Sequence, residues 1–189
     1  MPLFETGQVT FGLNDVKIAV WNGDGTYGSP VDVPSVQQVS VTLQFSSAQL
    51  TGDDKITATA ARAIGGAGSV RWGSISLAVL EVLLGGTATS SIASPNNVKN
   101  FRVAGGGAAQ YFGLVGRALA DDGQDTHVFI PQAKITGDLP IASMAYGEFT
   151  IPEAPFTMVA DETWGVLNIV THETAAAIAI PPANIPEIA

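Results

Sequence analysis

Across residues 39–45 the chain alternates without a break. Val39, Val41, Leu43 and Phe45 are apolar, and Ser40, Thr42 and Gln44 stand between them. Successive side chains of a β-strand point to opposite faces, so this period of two specifies a strand with one buried and one wetted face. Residues 55–62, KITATAAR, resume as a second strand with Thr57 and Thr59 on one face. The pair predicts a hairpin whose long tip is residues 46–54. Gly65-Gly66-Ala67-Gly68 comes next as a predicted turn. Half-buried strands need a second layer to cover their apolar face.

That cover is predicted by SISLAVLEVLLGG, residues 74–86. Residues 75–84 contain neither Gly nor Pro, and Glu81 is their one charge. Ser74 is the expected N-cap, because its hydroxyl can accept a hydrogen bond from a first-turn N–H. Gly85-Gly86 supplies the left-handed residue that commonly ends a helix. The predicted helix, about 74–85, is apolar around most of its circumference and must be covered on nearly all sides. A bilayer span needs about 20 residues, so the expectation is a buried helix against which a sheet packs, either within the subunit or across an interface.

The remaining segments read as short strands. They are 16–21 ahead of the hairpin and 99–103, 111–118, 126–130, 148–151 and 166–170 behind the helix. NGDGTYGSP, GGGAA, ADDGQD, TGDLP and PEAP separate them as turns, and residues 87–97 read as a polar loop. Short strands spaced by turns indicate a sandwich or barrel. Pro2, Gly7 and Gly12 make residues 1–15 an expected extended arm, and the Pro-rich residues 175–189 a second one. The expectation is one mainly β domain over residues 1–189, with a single helix and two terminal arms.

Only 13% of residues are charged while 46% are apolar. An isolated subunit of that composition is sticky, which points to an assembly whose subunits cover one another. The net charge of −9 opposes a protein that grips nucleic acid by neutralising phosphates, but not one that lets DNA pass. With no Cys there are no disulfides and no thiolate metal sites. The first residues lack the basic and apolar regions of a signal peptide, and nothing points to a membrane.

Catalogue motifs fail on context. Gly23, Gly25 and Gly28 satisfy G-x-G-x-x-G, yet a dinucleotide site needs a helix to start there, and Pro30 and Pro34 forbid one. Asp121, Asp122 and Asp125 do not match the alternate-ligand pattern of a calcium loop, so a solvated turn is expected. His127 and His172 lie 45 residues apart, outside any zinc-ligand spacing, and read as ordinary strand residues. No nucleophile elbow or P-loop is present. The expectation is no enzyme, no cofactor and no metal. The polar face of the hairpin, Ser40, Thr42, Gln44, Thr57 and Thr59, has two readings: a half-exposed strand, or the lining of a channel.

The order of these features resembles the tail tube (major tail) proteins of bacteriophages with long, non-contractile tails. Four stretches carry the resemblance: GLNDVKIA at 12–19, VQQVSV at 36–41 with LTGDD at 50–54, residues 72–86, and ITGDL at 135–139 with MAYGEFTIP at 144–152. It implies two packed antiparallel sheets flanked by one helix. It further implies homo-hexameric rings stacked into a tube, the conduit for DNA ejection. Ser40, Thr42, Gln44, Thr57 and Thr59 would line the lumen, and Gln49, Leu50, Thr51, Asp53 and Asp54 would make intersubunit or inter-ring contacts. Lys55 and Arg62 would lie near the rims or be paired with acids. The implied partners are further copies of the chain, the tape measure, tail terminator and tail tip proteins, and double-stranded DNA passing without specific binding. The implied location is the virion tail, assembled in the host bacterial cytoplasm. No additional immunoglobulin-like domain is expected. The alternatives are a carbohydrate-binding β-sandwich of a tail tip, the tube protein of a related injection machine and, third, an enzyme.

Overall fold

In the computed structural model, residues 10–52, 55–93, 96–105, 107–120, 124–141, 146, 151–172 and 177–182 are described. The chain runs β1 (Thr10–Gly23), β2 (Thr26–Tyr27), β3 (Val31–Asp32), β4 (Val36–Gly52), β5 (Lys55–Trp72), α1 (Leu77–Leu84), β6 (Thr87–Ala93), β7 (Asn96–Arg102), β8 (Tyr111–Ala120), β9 (Asp125–Ile135), β10 (Glu153–Met158) and β11 (Asn168–His172). The expected class is met: the protein is mainly β, with two antiparallel sheets and one helix. The sheets are unequal. Nine strands form one, ordered β2-β1-β8-β9-β10-β5-β4, with β11 on β9 and β3 on β1, and β6-β7 form the other.

Several expected boundaries move, each for a local reason. Strand β1 begins at Thr10, so residues 10–15 of the expected N-terminal arm are strand, paired to β8 through an irregularity between Phe11 and Asp15. Residues 46–52 are strand and not a tip, because β4 pairs with β5, through register shifts at Gln44/Phe45 and Leu50/Thr51, out to Gly52 opposite Lys55. Nothing in SSAQLTG breaks a strand; it merely lacks alternation. Of residues 87–97, read as a loop, 87–93 and 96–97 belong to the β6–β7 pair. The separator PEAP contributes to β10, while the strand expected at 148–151 falls almost wholly outside the described residues. Pro155 is accommodated because β10 meets β9 only at residues 156–158, leaving its N-terminal part unpaired on that side. Of the expected C-terminal arm, residues 177–182 are described and form no strand or helix.

Ser76, not Ser74, caps the helix: its Oγ accepts from the Val79 N–H at 3.5 Å. Starting the helix there turns Val79, Leu80, Val82 and Leu83 inward and Glu81 outward. Gly85 ends it with φ 66°, donating its N–H to the Glu81 carbonyl. Ile75 and Ala78 are exposed, so α1 is covered on one side and not all round.

The main core lies between α1 and one face of the large sheet. It takes Val16 and Ile18 from β1, Phe112 and Leu114 from β8, Val70 and Trp72 from β5, and Phe156 and Met158 from β10. Phe112 and Phe156 meet edge to face at 6.0 Å. The stretch Gly65-Gly66-Ala67-Gly68, expected as a turn, is mid-strand, and its glycines are there for packing. A β-carbon on Gly68 would strike the Ser40 carbonyl oxygen and come within 2.7 Å of the Phe156 ring. Gly68→Ala should therefore destabilise the fold by about 1–3 kcal/mol in urea unfolding. Ala67→Ser, on the opposite face, should change stability by less than about 0.5 kcal/mol. Equal effects for the two would contradict this packing.

Candidate functional site

Three features outside the main core stand out: an exposed ribbon, an apolar groove beside it, and a buried histidine pair. The ribbon is the outer half of β4–β5. Every residue from Gln44 to Thr51 and from Lys55 to Ile64 is exposed, on both faces. Phe45, Leu50, Ile56 and Ile64 are among them, each more than half accessible. An isolated two-stranded hairpin is marginal in water, and a long apolar edge strand is a template for pairing with another chain. Strand β4 is such an edge, pairing only with β5 among the described residues.

The register corrects the expected polar stripe. Residues directly opposite in an antiparallel pair share a face. Ser40, Thr42 and Gln44 lie opposite Ser69, Ala67 and Gly65 and do share one. Thr59 lies opposite Gln49, which places it on the face of Val39, Val41, Leu43 and Phe45. Thr57 is the additional residue between the Leu50–Ala58 and Thr51–Ile56 pairs, and its hydroxyl donates to the Leu50 carbonyl at 2.9 Å. Arg62, opposite Ser46, joins the face of Ser40, Thr42 and Gln44. Among the described residues neither Lys55 nor Arg62 meets an acid. Gln49, Leu50 and Thr51, the expected contact residues, sit exposed at the far end of the ribbon, while Asp53 and Asp54 lie outside the described residues.

The groove opens where the large sheet bends back on itself and β4 approaches β1. It encloses about 700 Å³, and Leu13, Val41, Leu43, Phe45, Val128 and Ile169 line it. The apolar face of the ribbon runs directly into this groove, because Phe45 belongs to both.

The opposite face of β8, β9 and β11 holds what spacing rules could not find. Arg117 lies opposite His127, and His172 opposite Asp125. Asp125 and His127 are fully buried, so Asp125 does not belong to a solvated turn. The two imidazoles lie 4.6 Å apart, centre to centre. Arg117 Nε is 2.7 Å from Asp125 Oδ2, and His127 Nε2 is 3.5 Å from the same oxygen. Burial holds the His127 imidazole below its usual pKa, with Asp125 pulling upward and His172 and Arg117 pushing it further down. His127 Nδ1 and His172 Nε2 have no hydrogen-bond partner among the described residues, and His127 Nε2 has only the 3.5 Å approach to Asp125. A buried polar atom without a partner costs about 1–3 kcal/mol.

An aromatic layer seals this face. Tyr27 and Trp164 each meet Phe129 edge to face. Asp161 fixes the covering turn: its Oδ1 accepts from the N–H groups of Thr163 and Trp164, and its Oδ2 from Trp21 Nε1. Trp164 Nε1 donates to the Gly25 carbonyl at 3.0 Å. A β-carbon on Gly25, whose φ is 69°, would meet Trp164 Nε1 at 2.7 Å. The glycine motif thus serves a turn beneath an indole. No protein-family model matches the chain, and no curated protein is found to be a relative. Function therefore has to be read from this geometry.

The Tyr27 hydroxyl donates to the Pro131 carbonyl at 2.9 Å. Tyr27→Phe should cost about 1 kcal/mol of stability. Burial, assisted by the nearby Asp161 charge, raises the Tyr27 pKa above its usual value near 10. Its contribution is complete below about pH 10 and is lost at higher pH, where only the unfolded chain ionises readily. In an alkaline absorbance titration of the native protein, the amplitude near pH 10 should be the same for wild type and Tyr27→Phe. A smaller amplitude in the variant would show that Tyr27 ionises normally.

Proposed function

We propose that this chain is a structural subunit that assembles with copies of itself into stacked rings, as the tail tube of a phage or a related injection machine. The observation that carries the reading is the exposed β4–β5 ribbon, a strand pair too long and too uncovered to be an end in itself. A second copy supplies what it lacks: a partner for the β4 edge and cover for Phe45, Leu50, Ile56 and Ile64. Pairing of one subunit's ribbon with another's groove is head-to-tail, and head-to-tail contacts close into rings or extend into filaments. The scarcity of charge fits a surface that is largely interface.

Within such a ring Ser40, Thr42 and Gln44 face the bore, and the excess of acids keeps duplex DNA from adhering. Arg62 shares that face and requires an acid from an adjacent copy. Residues Gln49, Leu50 and Thr51 reach the neighbouring ring or subunit. The carbohydrate-binding alternative finds less support in the tryptophans. Trp72 is fully buried, and the indole N–H groups of Trp21 and Trp164 are committed within the subunit.

Electron microscopy of the concentrated protein should show rings or hollow tubes of one width. Leu50→Lys with Ile56→Lys alters only exposed positions, so monomer stability should hold within about 0.5 kcal/mol. The same pair should raise the concentration needed for assembly at least about tenfold, equivalent to about 1.4 kcal/mol. Assembly of the double variant at the wild-type concentration would remove the ribbon from the interface.

A further inference from the structure

We propose that Asp125, His127 and His172 bind one divalent transition-metal ion, with zinc the best match to two imidazoles and a carboxylate. One donor atom from each of the three residues lies within 4.8 Å of the others. The His127 Nε2 to Asp125 Oδ2 separation, 3.5 Å, is close to what two ligands of a tetrahedral zinc require at bond lengths of about 2.0–2.2 Å. His172, the partly exposed member, lies within the same 4.8 Å and can close further by rotation of its side chain.

A further observation points to a ligand. His127 is fully buried, its Nδ1 has no hydrogen-bond partner among the described residues, and its Nε2 has only the 3.5 Å approach to Asp125, the proposed co-ligand. Arg117 completes the arrangement from the adjoining strand. Its guanidinium orients the Asp125 carboxylate as an outer partner does in metal sites, and its charge moderates affinity for a dication. With three protein ligands, the fourth position is left to a water or another small donor.

The consequence is mechanical. Strand β11 is held to β9 by five residue pairs, and the ion ties its last residue to the sheet. This inference stands apart from the tube reading, since it concerns a single subunit.

The test uses the full chain without a histidine tag, stripped with chelator and titrated with cobalt(II), then with zinc. Cobalt should give a saturable visible absorption at one equivalent, bleached by zinc, and zinc should raise the melting temperature with concentration. His172→Ala, at the partly exposed position, should weaken binding by more than the roughly 10–100-fold that loss of an outer partner costs. The first arm, the cobalt spectrum of the folded wild type, does not depend on a variant's stability. Absence of a saturable spectrum at one equivalent, or its persistence in His172→Ala, would overturn the site.

Discussion

Phe156 and Met158 lie on a stretch of β5 that has no side chains to lift them off. At Gly66 and Gly68 strand β10 lies so close that a β-carbon would strike the Met158 methyl or the Phe156 ring, and with it the Thr42 or Ser40 carbonyl oxygen of β4. That contact has two effects. It fastens the inner half of β4–β5 into the sheet, with Val39, Val41 and Leu43 packed against the core. It also marks where the sheet ends, because β10 stops at Met158, opposite Gly66, and beyond that point β5 has only β4 beside it among the described residues. The exposed ribbon is therefore the part of a long hairpin that β10 does not reach.

How far the fold is legible in the sequence depends on whether the signal is local. Alternation over residues 39–45 and the glycine pair after α1 report on neighbours along the chain, and both lead to real elements. The helix start is ambiguous because Ser74 and Ser76 can both cap, and only the burial of Val79 and Leu83 chooses between them. The ribbon's outer half reads as a tip because a strand exposed on both faces has no reason to alternate. The polar stripe fails on parity. Ile64 and Thr57 each add one residue to β5, and a single added residue moves the rest of the strand to the other face.

The histidine cluster is invisible for a different reason. Ligand-spacing rules describe residues brought together by one turn or one helix, whereas His172 meets Asp125 across two strands separated by β10 in the sequence. One signal is present: Asp125 and His127, two apart, fall on one face of any strand. Their partner cannot be named without the β9–β11 register.

The two outlying features are the two faces of the same strands. In β9, His127 points toward the aromatic layer and Val128 lines the groove; in β11, His172 belongs to the cluster and Ile169 to the groove. Strand β11 has β9 as its only strand partner among the described residues, so its position is the least constrained part of the groove wall. Whatever fixes His172 also fixes Ile169, three residues away on a strand only five long. If the chain assembles as proposed, an ion between β9 and β11 would act on that surface without touching it, by setting how wide the groove stands. The coupling requires no long path: it is the stiffness of one short strand, read from its two sides.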